Sequence, residues 1–255
     1  MKPYVIALSH QKGGVAKTTS VSALGASLAE QGRKILVIDL DPSANLTAGF
    51  GLNPLKMQKS MADILLGKDT IPMVYRSTSL PGLDIVPSNP DMNTAAQLLQ
   101  IRPQYENILT ESIQHDEIST YDFIIFDCTP SMGPLTVNAL TAANLAIIPT
   151  QCEYYALQAL NGIFKIVQRV RAKFNPELYF RLLITMFDLR GKLHTQILEK
   201  LQHHYSTALL ETKIGFDSKL RASQVEGIPI TVFAPNTRAA QQYRTLASEI
   251  AAYVE

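Results

Sequence analysis

The stretch Gln11-Lys12-Gly13-Gly14-Val15-Ala16-Lys17-Thr18-Thr19 sets glycines, lysines and threonines between an apolar run and a helical pattern. Such a stretch can hold phosphate. Gly13 and Gly14 let backbone amides come close to an anion that side chains would keep away, and the next helix adds its positive end. Lys17 can set a charge against the β and γ phosphates of a nucleotide, and the Thr18 hydroxyl can reach a bound Mg²⁺. Three carboxylates stand where they could serve that site: Asp39 and Asp41 at the exit of one apolar run, and Asp127 at the end of Phe123-Ile124-Ile125-Phe126. An apolar strand that delivers one carboxylate at its end reads as a Walker B segment, in which Asp127 would hold a water on Mg²⁺. Asp39 and Asp41 have two readings: both turn into a phosphate cleft, or they cap the turn that follows.

These residues can meet only if short parallel strands bring them to one edge of a sheet. The chain offers such strands at 4–8, 35–39, 83–86, 123–127, 146–149 and 181–185, each short, apolar and rich in β-branched residues. Helical patterns lie between them at 17–31, 94–114, 134–143, 155–173, 192–205 and 238–252. This alternation predicts an α/β fold, a doubly wound, mainly parallel sheet with helices on both faces. No linker composition divides it, so one domain over 1–255 is expected. Ala239, Tyr243, Leu246, Ala247, Ile250 and Val254 give the last helix one apolar face.

The phosphate stretch departs from the standard Walker A pattern, because Gln11 and Ala16 occupy its two glycine positions. It resembles instead the deviant form K-G-G-x-[GA]-K-T-T of the ParA/MinD family of P-loop ATPases, and in particular its short ParA (Soj-like) partitioning members. The segment Asp39-Leu40-Asp41-Pro42-Ser43-Ala44-Asn45-Leu46-Thr47 is similar to that family's D-x-D-P-Q-x-N-x-T, with Ser43 in place of glutamine. Asp127-Cys128-Thr129-Pro130-Ser131 is similar to D-x-P-P-S, with Thr129 for the first proline. Ile148 to Leu157 resembles the family's loop near the nucleotide and the dimer interface.

The resemblance implies ATP and Mg²⁺ as cofactors, with residues 12–19 around the phosphates. Lys12 takes the place of the signature lysine, which reaches a partner subunit's nucleotide in an ATP-bound homodimer. Asp41 would position the attacking water, and Asp39 would support Mg²⁺ through water. Met186, Ile214, Gly215 and Phe216 fall where adenine stacks, with Gly215 where many relatives carry proline. Arg190, Lys219 and Arg221 match basic positions used on the DNA backbone, although scattered basic residues are also ordinary solvated surface. The implied function is an ATPase that binds DNA nonspecifically as an ATP dimer. A ParB-like protein or cargo adaptor would release it by stimulating hydrolysis.

Composition fits this picture. With 46% hydrophobic and 18% charged residues, the chain is globular in balance. Residues 1–150 hold ten Lys and Arg against thirteen Asp and Glu, whereas 151–255 hold thirteen against nine. An anionic polymer would therefore meet the second part. No run of about 18 apolar residues exists to span a bilayer, and a cytoplasmic, nucleoid-associated protein is expected. Glu249 and Glu255 at the tail disfavour a MinD-like membrane cycle. Cys128 and Cys152 lack the setting an iron–sulfur reductase would need. Positioning of a non-DNA cargo, such as a protein microcompartment, stays open beside DNA segregation.

Overall fold

The computed structural model describes residues 2–188 and 190–254. Its strands are β1 (Tyr4–Leu8), β2 (Ile35–Asp39), β3 (Arg76–Ser77), β4 (Leu83–Val86), β5 (Phe123–Asp127), β6 (Leu145–Gln151), β7 (Tyr179–Phe187) and β8 (Leu209–Gly215). They form one sheet in the order β3-β4-β2-β5-β1-β6-β7-β8, parallel throughout except where β3 meets β4. The chain starts in the middle of the sheet and winds to both sides, as the alternating pattern predicts.

The apolar strands are apolar on both faces because each face has its own core. Val5 and Ala7 of β1, Leu36 and Ile38 of β2, and Ile124 and Phe126 of β5 enter one core with the helices Pro134–Ala142 and Ala156–Lys173. Their neighbours Ile6, Leu8, Ile35, Val37, Phe123 and Ile125 enter the other, with the helices Lys17–Glu30 and Arg238–Ala251. This period-2 division pins the register, since a slip of one residue would exchange the two cores. Phe126 is fully buried immediately before Asp127. Truncating a side chain of that size costs about 3–5 kcal/mol, so the carboxylate sits on a rigid base.

Three sequence expectations change. The helix expected at 94–114 is two, Met92–Leu99 and Ile108–Ser112. Pro103 lacks an amide hydrogen and disfavours helical geometry at Arg102, and Gln104 turns left-handed with φ 54°. The last helix ends at Ala251, so Val254 is exposed while the other five residues of its apolar face are buried. Glu255 lies outside the described residues. Strand β8 was foreseen only as a contact segment. Its exposed Glu211 and half-buried Lys213 mark an edge strand, and Glu249 caps that edge by accepting hydrogen bonds from the amides of Glu211 (2.8 Å) and Thr212 (3.0 Å).

Candidate active site

Strand β1 ends between β5 and β6, and the loop 9–16 crosses from it to the helix Lys17–Glu30. Neighbouring strand ends hold this loop. Gln151 Nε2 donates to the Gly14 carbonyl at 2.9 Å, and Thr185 Oγ1 donates to the Val15 carbonyl at 3.1 Å. Gly14 has φ +75°, and a Cβ built on Gly13 or Gly14 would meet nothing within 4 Å. The space beside them belongs to a ligand. Ala16 stands at the second Walker glycine and keeps the left-handed turn at φ 65°, a strain of about 1–2 kcal/mol. No side chain caps the helix that begins at Lys17, so its first amides remain for an anion. Left-handed Ala44 and Met186 also stand around the cleft, as strained residues do at functional sites.

The cleft measures about 750 Å³. Gly13, Gly14, Ala16, Lys17, Thr18 and Thr19 line it together with Met186, Ile214, Gly215 and Phe216, and Met186 lies beside the loop, since Gln151 Nε2 reaches both its sulfur and the Gly14 carbonyl. The phosphate and adenine expectations therefore meet in one cavity. Val15 is buried and Lys12 lies beyond the cleft lining. Glycine at 215 also has a local reason: its amide donates to Gln242 Oε1 at 2.9 Å, which proline could not do. A Cβ there would lie 2.8 Å from an Arg238 guanidinium nitrogen.

The three carboxylates are not equivalent. Asp39 pairs in register with Asp127 across β2 and β5, and both are buried. Asp39 accepts from the Thr47 amide (2.9 Å), the Thr47 hydroxyl (2.7 Å) and the Asp41 amide (3.1 Å). Both of its oxygens are engaged by the following turn, and neither Asp39 nor Asp127 is among the residues that line the cleft. Burial pushes its carboxyl up to about 6, against those hydrogen bonds. Asp127 is the opposite case, because neither of its buried oxygens has a hydrogen-bond partner. Burial, and then the neighbouring Asp39, push it well above the usual carboxylate range. The Thr18 hydroxyl is near enough to favour the anion but stops short of a hydrogen bond, and Lys17 acts in the same direction.

A buried carboxylate without partners is costly, and a hydrated divalent cation would repay that cost. Thr18 and Asp127 thus fit Mg²⁺. Asp41 lines the cleft, with Oδ1 held by the Ser43 amide (2.9 Å) and hydroxyl (2.7 Å), and its other oxygen makes no hydrogen bond among the described residues. Ser43 itself accepts from Asn45 Nδ2 at 2.9 Å. The serine that replaces the family's glutamine therefore orients the very carboxylate the motif is built around.

Outside the cleft, Lys12 forms an ion pair with Glu153 and donates to Gln151 Oε1 at 3.1 Å. The three DNA candidates separate. Arg190 makes a bidentate pair with Asp188 at 3.0 Å and 3.0 Å, which holds that carboxyl down to about 2. Lys219 is exposed, with only its amide engaged, on Asp217. Arg221 lines the nucleotide cleft. Sequence reasoning missed Thr185, Gln224 and the orphaned buried hydroxyl of Ser9. Tertiary packing alone brings Thr185 to the loop and Gln224 to the helix after it, whereas Ser9 lies in the loop itself.

Together, a strand–loop–helix phosphate cradle, a threonine beside an unpaired carboxylate and an apolar far wall define a P-loop nucleotide-binding protein whose cleft takes ATP with Mg²⁺. Residues 3–180 match a family model described as an AAA domain. The chain is 35% identical to the sporulation initiation inhibitor protein Soj of Bacillus subtilis, over 97% of this chain and 98% of that protein. It is 31% identical to the chromosome partitioning protein ParA of Caulobacter vibrioides, covering 96% and 93%. Among solved structures it is similar to cobyrinic acid a,c-diamide synthase from Mycobacterium smegmatis with bound ADP and magnesium, at TM-score 0.85, 32% identity and 96% and 93% coverage. The septum site-determining protein MinD of Pyrococcus horikoshii shares the fold at TM-score 0.77 and 22% identity, over 97% and 96%. The chain belongs to the ParA/Soj family of P-loop partitioning ATPases.

Proposed function

We propose that this chain is a ParA-like ATPase that pairs with a second copy when ATP and Mg²⁺ are bound, holds DNA nonspecifically, and segregates DNA or positions a cargo. A ParB-like protein or cargo adaptor ends the cycle by stimulating hydrolysis to ADP and phosphate. One observation carries the reading. Lys17, Thr18 and Asp41 line the cleft, while the first lysine of the motif, Lys12, is exposed outside that lining. A lysine so placed is available to another copy's nucleotide.

Lys17 and the loop amides stabilise charge on the transferring phosphoryl group, and Asp41, steadied by Ser43, orients the attacking water. Orientation suffices, because phosphoryl transfer depends on positioning and electrostatics more than on a strong base. Bound Mg²⁺ supplies neutralisation of the β- and γ-phosphate oxygens. The last helix does not favour a membrane cycle, because Tyr243, Leu246 and Ile250 on its apolar face are buried in the core.

DNA is the part of the reading that most needs a test. All three candidates are exposed, but Arg190 is paired with Asp188 and Arg221 lines the cleft, so Lys219 is the one whose side chain has no partner among the described residues and does not line the cleft. The Asp41→Ala chain with Mg·ATP, expected to bind nucleotide without turnover, should bind two unrelated duplexes alike in fluorescence anisotropy. Lys219→Ala in that background should flatten the slope of log K against log salt by about 2 per dimer, one phosphate contact from each copy. No affinity for either duplex at low salt would reject DNA as the partner.

A further inference from the structure

The helix Ser218–Val225 carries two of the three basic residues expected on DNA, but its geometry separates them. Lys219 and Arg221 are two positions apart, so they point to different faces, whereas Arg221 and Gln224, three apart, share one. Both Arg221 and Gln224 line the nucleotide cleft. Gln224 is fastened there, with Nε2 donating to Thr19 Oγ1 at 2.6 Å across the cleft wall. The guanidinium of Arg221 makes no hydrogen bond or ion pair within the described chain, unlike that of Arg190 on Asp188 or Arg244 on Glu30. A free guanidinium on the wall of a phosphate cleft is a ligand in waiting.

We infer that Arg221 binds the α-phosphate of the bound nucleotide, and that Gln224 is the positioning residue that sets its helix against the phosphate loop. This deepens the ATP reading of the same cleft and rests on it. The position along the nucleotide follows from the helix. Gln224 meets Thr19, next in the chain to Lys17 and Thr18, while Phe216, just before the helix begins, lines the same cleft at a position where the resemblance expects adenine. Arg221 lies about 4.5 Å from Gln224 along the axis towards Phe216, from a rise of about 1.5 Å per residue. Between those two groups we place the α-phosphate. Arginine suits this place, because its planar fork can pair with two phosphate oxygens at once. The Thr19 hydroxyl, accepting from Gln224, keeps its own hydrogen to donate to the same phosphate. Asp217 caps the helix through the Lys219 amide at 2.9 Å, so its start is fixed as well.

The test is calorimetry with ADP and with Mg·ATP on the full chain in the Asp41→Ala background, without DNA. Arg221→Met, which keeps the apolar stem, should raise both dissociation constants about 10-fold, the scale of one charge-assisted hydrogen bond. Arg221→Lys should recover part of that loss. Both nucleotides must respond equally, since the α-phosphate is common to them. Gln224→Leu should weaken both about 3-fold, and combined with Thr19→Val it should cost less than the two single changes together. Thermal unfolding of the nucleotide-free variants should match the parent chain, which separates binding from folding. Unchanged ADP and ATP affinity in Arg221→Met, with a flattened DNA salt slope, would make Arg221 a DNA contact and overturn the inference. An effect on ATP alone would place it on the γ-phosphate and overturn it equally. Lys17→Ala is the control for the underlying reading. If that variant still binds nucleotide normally, the cleft assignment itself fails, whereas its loss of binding with no Arg221 effect rejects only the present inference.

Discussion

Lys12 cannot hold Glu153 and reach a second copy's phosphates at the same time. The side chains of this ion pair are 42% and 52% exposed, so solvent screening limits the pair to about 0.5 kcal/mol, the middle of the range for surface bridges. A symmetric dimer breaks it twice, which costs about 1 kcal/mol in total and corresponds to about 5-fold in the dimer dissociation constant. Glu153→Gln keeps the shape and removes the charge. With Mg·ATP in the Asp41→Ala background, sedimentation equilibrium should therefore show the variant dimerising about 5-fold more tightly than its parent. The gain should shrink at high salt, where the pair is already screened. Lys12→Ala should lose ATP-driven dimers, and Glu153→Gln added to it should bring no gain. Weaker dimers in Glu153→Gln would refute the reasoning, because they would place Glu153 in the assembled interface rather than in a contact that must be released. Intact dimers in Lys12→Ala would refute the reaching role of the lysine itself.

Two further outcomes follow from buried groups near the loop. His10 accepts the Lys12 amide on Nδ1 at 2.8 Å, and burial, Lys17 and Lys12 lower it to about 4. A folded value below the unfolded one of about 6.5 gives stability that is complete above pH 6.5 and lost as pH falls towards 4. Urea unfolding should show that loss, up to about 3 kcal/mol, in the native chain but not in His10→Asn, and equal pH profiles would exclude His10 as its source. Asp127→Asn removes a buried charge without partners, so it should stabilise the nucleotide-free chain by about 1–2 kcal/mol while abolishing the Mg²⁺ dependence of ATP binding. Denaturant titration and calorimetry check the two halves, and loss of stability would mean that the carboxylate has partners in solution.

Much of the nucleotide site is local and was therefore legible. Glycine, lysine and threonine spacing fixes a phosphate loop within nine residues, and apolar runs ending in Asp39 and Asp127 lie on adjacent strands in the structure. Sequence left Asp39 with two readings, and its hydrogen bonds to Thr47, eight residues later, could not be foreseen from the motif. The helix expected at 94–114 failed for a reason visible in Pro103, whereas β8 failed because an edge strand with polar positions lacks the continuous apolar signal of a buried one. Gln224 offered no signal at all. Its meaning depends on a contact 205 positions away in the chain.

The three basic residues show most clearly where sequence runs out. Composition places positive charge in the second part of the chain, but it does not say which anion each charge meets. Arg190 meets Asp188 in its own turn, Lys219 faces solvent, and Arg221 lines the cleft. Long-range attraction for DNA depends on charges left unpaired, so residue counts overstate it here. The arrangement also bears on switching. Lys219 and Arg221 ride on one helix and point to different faces, so a nucleotide held by Arg221 would fix the direction in which Lys219 points. Dependence of DNA binding on ATP then has two physical sources, the doubling of Lys219 in a dimer and the orientation of its helix within each copy. They are separable, because Arg221→Met would disturb the second while leaving Lys12, on which the first is proposed to depend.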